Sequence, residues 1–457
     1  MVTGCPFFLI FALWYNINME KTNYILNKYT YNLMLAKSAG HDVYVNEFKK
    51  LSNSYDVREK FDYRFKLKDL FKEYWPSFKE LHINNLRPSV IDNVEKMINC
   101  KDLSNGYLCY SCNKCDNYHL TGLSCNSRFC STCGKKYRDE RSIEIQSKLI
   151  DVSHRHFVFT VAKELRVYFF THRELFNTLF DAVNDTLTSV GLTSKKDIKN
   201  KTKLGFVAFL HTYGRDLKAN PHIHVLLAEA KVGLDNKVLK CEYFHFDKLR
   251  KHFMYSLLNK MDRYLKANAT YNDYWKFAND KRYLINEYKD VGFYIYGPKN
   301  NSKMKDIKEV ANYIARYGSH PAISESRIEN FDYINDTVTY KFDPHEDDGL
   351  DENDLNFSGT QIVTLNVYDF MIKLIRHIPD KGFNLIRYFG FYSNKTNLKP
   401  KRVKLLKLFK VKVLKEALRF KKLILSKFGF DLFKCRCGGT LELNYELSYL
   451  PMKGALF

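Results

Sequence analysis

The stretch GFVAFLHTYGRDLKANPHIHVLL (residues 205–227) decides the fold. Two runs rich in β-branched and aromatic residues flank Gly214-Arg215-Asp216, a pattern that predicts a β-hairpin. Side chains alternate along a strand, so His222 and His224 share one face while Ile223 points to the other. Two imidazoles on one face can share a divalent metal ion. Two ordinary hydrogen-bonded histidines fit this triplet equally well when it is taken alone.

His211 lies on the strand predicted before the two histidines. The connection is short, so the two strands should pair and bring a third imidazole close to His222 and His224. Three ligands with open coordination positions suit a catalytic divalent ion that binds a phosphate oxygen. Alternatively, His211 packs in the core or contacts a metal ligand without binding the ion itself.

The elements predicted around the hairpin indicate an α+β fold. A strand over 156–161 and a helix over 171–190 precede the hairpin, and a helix over 246–267, a strand over 291–296 and a helix over 306–317 follow it. This order is typical of an antiparallel sheet flanked by helices. Further along, 328–367 is predicted to be β-rich, and 399–422 is basic with helical spacing.

The charge of the chain predicts an anionic partner. Among 457 residues there are 73 Lys and Arg against 51 Asp and Glu, a net charge of +22, and 32 Tyr and 35 Phe are available for stacking on bases. Nucleic acid is the first candidate, although a lysine-rich composition inherited from an AT-rich genome explains part of the excess. The apolar run 5–15 is too short to span a bilayer and has no basic flank, so no targeting segment is predicted, and Met19 is a plausible start.

The clustering of the cysteines indicates metal ligands rather than disulfides. It therefore also indicates a reducing cytoplasm as the setting of the protein. Two Cys-x-x-Cys pairs have the spacing of zinc knuckles and are predicted to share one tetrahedral Zn²⁺: Cys112, Cys115, Cys130 and Cys133. Three alternates leave open a different ligand set or two sites: Cys109, His119 and Cys125. Cys435 and Cys437 form a third pair for which the sequence identifies no partner. Arg128, Lys135 and Lys136 add a basic face that suits either phosphate contacts or solvent.

Tyr313 and Tyr317 lie four residues apart on the helix predicted over 306–317, hence on one face. A phenolate oxygen is a competent nucleophile toward phosphorus when a cation assists it. Two core tyrosines are the alternative, and only the histidines make the catalytic interpretation preferable.

These motifs, in this order, resemble those of bacterial insertion-sequence transposases of the rolling-circle type, in the HUH (His-hydrophobic-His) nuclease superfamily. The similar subgroup joins an N-terminal zinc-binding domain to a two-tyrosine catalytic domain. The stretches that carry the resemblance are 124–134, 154–160, 210–217, 220–224, 310–317 and 381–390. The sequence departs from the family pattern at Ser131, where proline is common, and at Cys435-x-Cys437, where a two-residue gap is commoner.

The resemblance implies roles for particular residues. His222 and His224 match the metal-binding pair, and Tyr313 and Tyr317 match the nucleophiles, with Arg316 between them as a DNA-binding residue. In such enzymes a tyrosine attacks single-stranded DNA and leaves a 5′-phosphotyrosine link and a free 3′-OH. The implied cofactors are catalytic Mg²⁺ or Mn²⁺ and structural Zn²⁺. The implied partners are single-stranded DNA at the element ends and target DNA, and no membrane is implied. The implied location is the nucleoid in the bacterial cytoplasm.

The resemblance also implies a domain order. An HUH-type antiparallel sheet flanked by helices would follow a helical and zinc-binding N-terminal domain. The predicted regions are a poorly defined N-terminal segment (1–60), the helical and zinc-binding domain (61–150), the catalytic domain (151–325) and a basic C-terminal region of the transposase domain (326–457). The alternative function is a zinc-dependent DNA-binding protein without catalysis, against which the intact histidines and tyrosines argue.

Overall fold

The structure is a computed structural model, and it describes residues 66–241, 244–297, 322–343, 359–396 and 433–450. Tyr313, Arg316 and Tyr317 lie outside these ranges, as do the N-terminal segment 1–60 and the basic stretch 399–422. In the described part of the chain, no helix is long and apolar enough to cross a membrane.

Helices and antiparallel strands alternate along the chain, which confirms the α+β class. The helices are α1 (Leu67–His82), α2 (Pro88–Ile98), α3 (Ser131–Lys148), α4 (Arg166–Thr171), α5 (Leu175–Gly191), α6 (Lys195–Lys199), α7 (Phe246–Asn268), α8 (Tyr271–Tyr288) and α9 (Val367–Ile375). The strands are β1 (Tyr107–Cys112), β2 (Tyr118–Gly122), β3 (His154–Thr160), β4 (Lys203–Tyr213), β5 (Ala219–Val232), β6 (Val238–Lys240), β7 (Ile295–Tyr296), β8 (Ile328–Asp332), β9 (Thr337–Phe342), β10 (Gln361–Asn366), β11 (Ile386–Gly390) and β12 (Leu441–Tyr449).

These elements belong to two compact units. The smaller unit holds a three-stranded sheet in the order β12-β1-β2, so its described residues come from 99–125 and from 433–450. The larger unit holds all the other helices and strands. In the larger unit, β10-β9-β8 form a separate sheet, as the β-rich pattern over 328–367 predicts.

The main sheet of the larger unit has the strand order β11-β4-β5-β3-β7, with β6 beside the end of β5. Strands β4 and β5 form the predicted hairpin. Its turn is closed by the backbone N–H of Gly214, which donates to the carbonyl of Lys218 at 3.1 Å. The carboxylate of Asp216 accepts from the N–H of Lys218 at 2.9 Å, a turn geometry that Asp favours. The hairpin prediction is therefore confirmed.

The two faces of this sheet differ. Ile223 on β5 is fully buried and belongs to the largest apolar cluster, with Phe159 of β3, Phe180 of α5 and Phe253 of α7. On the opposite face, Leu226 belongs to a second buried cluster with residues of α3 and β4. The same face changes from apolar to imidazole side chains toward the start of β5, where His222 and His224 lie. The alternation predicted for the His-Ile-His triplet is confirmed.

Several boundaries differ from the sequence predictions, each for a local reason. The helix predicted over 171–190 begins later, as α5 at Leu175, because residues 172–174 separate it from the short helix α4. The strand predicted over 291–296 is shortened to β7, because Gly292 turns the chain with a φ of +74°. Helix α8 was not predicted, although the Thr270 side chain caps it by accepting from the N–H of Asp273, a recognisable N-terminal signal.

We expect Ile223→Ala to lower the free energy of unfolding by about 2–5 kcal/mol, because it opens a cavity in the largest core. The matched control is Leu239→Ala on β6, where the side chain is 45% exposed and little destabilisation is expected. Urea unfolding followed by circular dichroism measures both. Equal losses for the two variants would contradict the placement of Ile223 in the core.

Candidate metal centres

Three histidines converge on the face of the main sheet away from Ile223. His211 of β4 stands directly opposite His222 of β5 in the strand register, and His224 follows on the same face. Their ligating nitrogens all lie within 4.8 Å of one another. The Nε2 atoms of His222 and His224 are 3.1 Å apart. The structure therefore brings together all three histidines predicted from the sequence.

The proton positions in this histidine group follow from its hydrogen bonds. Nδ1 of His222 lies 2.7 Å from the carbonyl oxygen of Asn220. A carbonyl only accepts, so Nδ1 carries the proton and the lone pair of Nε2 faces His224. Burial, with a smaller contribution from His211, lowers the pKa of His222 to about 3 and lowers that of His224 well below its usual value. Both imidazoles are thus neutral near pH 7, the form that ligates metals.

A fourth histidine supports the group from behind. Nε2 of His156, on β3, lies 3.2 Å from Nδ1 of His224, and the two rings stack with centroids 5.4 Å apart. The charge of Arg166, at the start of α4, contributes to lowering the pKa of His222. No role is predicted from the sequence for His156 or Arg166. The alternation of His154 and His156 on a strand was a usable signal, whereas nothing local pointed to Arg166.

A separate group consists of four thiols in the smaller unit. Cys112 and Cys115 lie beside Cys435 and Cys437, with all four sulfurs within 4.8 Å of one another. The single site predicted from Cys112, Cys115, Cys130 and Cys133 is therefore corrected. The pairing of β1 with β12 brings the C-terminal cysteines to Cys112 and Cys115, a long-range contact that knuckle spacing cannot reveal. A hydrogen bond from the backbone N–H of Cys437 lowers the pKa of Cys435 to about 6, which favours its thiolate.

The remaining predicted zinc ligands lie elsewhere. Cys109 is buried on β1, where burial raises the pKa of its thiol, and His119 is exposed on β2; neither belongs to the four-thiol group. Cys130 is the residue before α3 and Cys133 lies in its first turn, both buried. Cys125 is half-buried in the smaller unit.

The predicted basic face divides into one engaged and two exposed residues. Arg128 donates to the hydroxyl of Tyr137 at 2.7 Å and stacks over its ring, so this guanidinium is partly buried. Lys135 and Lys136 are exposed on α3, with Lys136 3.9 Å from Glu140. Only the two lysines are therefore presented to solvent in the way that a phosphate contact requires.

Two protein families match the chain. Residues 205–399 match the family described as a putative transposase, and this range contains the histidine hairpin. Residues 70–161 match the transposase zinc-binding domain, and this range contains Cys112, Cys115, Cys130 and Cys133. No solved structure is significantly similar to the chain.

Two relatives are similar along most of their length. The transposase for insertion sequence element IS801 of Pseudomonas savastanoi pv. phaseolicola is 28% identical over 400 residues, which cover 85% of this chain and 91% of the relative. The putative transposase y4qJ of Sinorhizobium fredii is 21% identical over 341 residues, covering 72% of this chain and 80% of the relative.

The fold and the ligand groups define a metal-binding α+β protein in which a zinc-binding module accompanies an antiparallel sheet with a histidine centre. Both family matches and both relatives are described as transposases or as a transposase domain. Together these matches support an insertion-sequence transposase of the rolling-circle type.

The buried histidines make the stability of the protein depend on pH. The pKa of His222 is about 3 in the folded protein, against an ordinary value of 6.5 for a solvated histidine. Between these values the unfolded state binds the extra proton, so the free energy of unfolding should fall as pH falls, by about 1.4 kcal/mol per pH unit for this residue. Urea unfolding without added Mg²⁺ or Mn²⁺, from pH 6 to pH 4, should give a shallower pH dependence for His222→Asn. Identical slopes for the two proteins would contradict a neutral buried His222.

Proposed function

We propose that this transposase nicks and rejoins single-stranded DNA through a 5′-phosphotyrosine intermediate, with His211, His222 and His224 as ligands of a catalytic divalent ion. The observation that carries the proposal is the convergence of three imidazoles on paired strands, two of them buried and neutral, in a chain of this family. Tyr313 and Tyr317 are the proposed nucleophiles, on the family pattern alone.

The histidine group fits a divalent ion. Two ligands about 2.1 Å from one octahedral ion lie about 3.0 Å apart, close to the 3.1 Å between the Nε2 atoms of His222 and His224. Among the described residues, the group that contains these histidines has no carboxylate. Imidazole ligands suit Mn²⁺ better than Mg²⁺, which prefers oxygen, so we propose Mn²⁺ as the better cofactor.

A bound divalent ion would polarise the scissile phosphate. The oxygen of Tyr313 or Tyr317 would attack phosphorus, forming a tyrosine ester and releasing the 3′ oxygen, which takes up a proton. Arg166, whose positive charge helps to lower the pKa of His222 and whose Nε donates to the carbonyl of Val161 at 3.1 Å, is the proposed cation for a phosphate oxygen. The second tyrosine would carry out strand transfer.

The proposed partners are single-stranded DNA at the element ends and target DNA. The net charge of +22 and the exposed Lys135 and Lys136 favour phosphate contacts. An enzyme acting on a bacterial element would work at the nucleoid in the cytoplasm, which stays a prediction.

The nicking activity can be tested with purified protein, Mn²⁺ and single-stranded DNA from the element ends. A denaturing gel should show a covalent protein–DNA adduct that Tyr313→Phe plus Tyr317→Phe abolishes. His222→Ala plus His224→Ala should reduce the adduct by at least about 100-fold, since loss of direct ligands costs more than loss of their supporting groups. The control is Tyr213→Phe, which removes a hydroxyl from the strand that bears His211. DNA binding without any adduct in the unaltered protein would favour the DNA-binding alternative.

His156 is proposed as a positioning residue for the metal site. The Nε2 lone pairs of His222 and His224 can face one ion only if His224 carries its proton on Nδ1. That N–H then donates to Nε2 of His156, 3.2 Å away. Such acceptors behind a ligating histidine fix its tautomer and ring orientation. No contact of His156 with DNA is required for this role.

We expect His156→Phe to weaken Mn²⁺ binding by about 10–100-fold, measured by calorimetry without DNA. His156→Gln keeps an acceptor and should restore part of the affinity. The matched control is His154→Phe, because His154 lies on the same strand and face but bonds to the hydroxyl of Tyr392 instead. Equal affinities for the two phenylalanine variants would refute the positioning role.

Structural zinc is supported by the zinc-binding domain match and by the clustered thiols. We propose that Cys130 and Cys133 ligate a zinc ion of their own, since Cys112 and Cys115 have other neighbours.

A further inference from the structure

The C-terminal pair Cys435 and Cys437 has no role in the proposed DNA chemistry. It lies 320 and more residues after Cys115 and Cys112 in sequence, yet the sulfurs of these pairs are neighbours. We propose that Cys112, Cys115, Cys435 and Cys437 bind one structural zinc ion as four thiolates, and that this ion clasps the C-terminal strand β12 to β1.

The distances between the sulfurs suit a tetrahedral zinc site. The sulfurs of Cys112 and Cys437 are 3.4 Å apart, and those of Cys115 and Cys435 are 3.7 Å apart. Four sulfurs about 2.3 Å from one Zn²⁺ lie about 3.8 Å from each other. A disulfide would need about 2.05 Å, and it would join two sulfurs rather than gather four.

Both halves of the site have the same turn. The backbone N–H of Lys114 lies 3.4 Å from the sulfur of Cys112, and the N–H of Gly439 lies 3.4 Å from the sulfur of Cys437. Each turn thus points an N–H of the residue two positions later at the sulfur. The Asn117 amide adds a longer contact of 3.8 Å to Cys435. Donors directed at sulfur favour the thiolate, which is the form that binds zinc.

The two glycines after Cys437 fit this arrangement. A Cβ at Gly439 would stand 2.6 Å from the sulfur of Cys112, and Gly438 has a φ of +82°. A side chain at position 439 would therefore push the two halves of the site apart. Cys435-Arg436-Cys437-Gly438-Gly439 is thus a tight knuckle despite its one-residue gap.

Strand pairing continues the contact away from the sulfurs. The N–H of Asn113 donates to the carbonyl of Thr440 at 3.0 Å, and the Asn113 side chain accepts from the N–H of Thr440 at 2.9 Å. From there Cys112 stands opposite Leu441, and β1 and β12 run antiparallel. Among the described residues of this unit, Tyr107 is the only buried apolar side chain besides cysteines. So small a core needs the free energy of metal binding to hold its strands together.

Alkylation of the unaltered, full-length protein under a thiol reductant tests the clasp. Cys437 is exposed, so a free thiol there would react quickly with iodoacetamide. We expect all four cysteines to be protected and to become reactive together, as zinc is released, when phenanthroline is added. Amide exchange of β12 should rise at the same time. The buried Cys241 of the larger unit serves as the control and should not respond to the chelator. Rapid labelling of Cys437 before chelation, or protection that the chelator does not remove, would overturn the proposal.

Zinc analysis of variants gives an independent measurement. Cys435→Ser plus Cys437→Ser should lose one zinc equivalent, the same loss as Cys112→Ser plus Cys115→Ser, while Cys241→Ser loses none. Any zinc held by Cys130 and Cys133 should remain in both double variants. If the C-terminal double variant keeps all its zinc while the other loses an equivalent, the clasp is refuted. This outcome is independent of whether the protein forms a DNA adduct.

Discussion

The pairing of β4 with β5 is the constraint on which the histidine centre depends. The register sets His211 opposite His222, and the three imidazoles offer no strong attraction of their own to maintain it. The opposite face supplies that force, because Ile223, Val225 and Leu227 are buried in the largest apolar cluster. A slip of one residue would turn these side chains toward the site and the histidines into the core. The hydrophobic effect on one face therefore fixes ligand geometry on the other.

The two kinds of ligand group in the chain have different physical requirements. In the histidine centre, the neutral imidazoles of His222 and His224 are buried on paired strands, so the cluster can exist before any ion binds. The four-thiol group gathers sulfurs from turns of a unit with little apolar core. Bringing thiolates together is unfavourable without a cation, so here the ion contributes to folding itself. Soft thiolate ligands favour zinc, whereas imidazole ligands also accept divalent ions that exchange more readily.

Local sequence patterns predicted those features of the fold and the site that depend on residues close together in the sequence. The hairpin, the shared face of His222 and His224 and the opposing His211 all follow from alternation and a short turn. His156 is 68 residues from His224 and reaches it only through the pairing of β3 with β5, which no local pattern encodes. The partners of Cys435 and Cys437 were unpredictable for the same reason, and knuckle spacing alone favoured Cys130 and Cys133 as partners of Cys112 and Cys115. Tyr313 and Tyr317 lie outside the described residues, so their role rests on family pattern.

The position of the clasp in the chain has a consequence for folding order. Ligands and strands of the smaller unit come from both ends of a stretch of more than 300 residues, so β1 has no β12 partner until β12 has left the ribosome. The larger unit needs no such delay, because its hairpin and core contacts lie within 126–426. Domains generally fold as units, in order of synthesis. Here the first knuckle to emerge, Cys112 and Cys115, would wait for the last, and a chain truncated before Cys435 would keep its main sheet but leave half a zinc site. Completion of the smaller unit therefore has to follow synthesis of β12, more than 300 residues after β1.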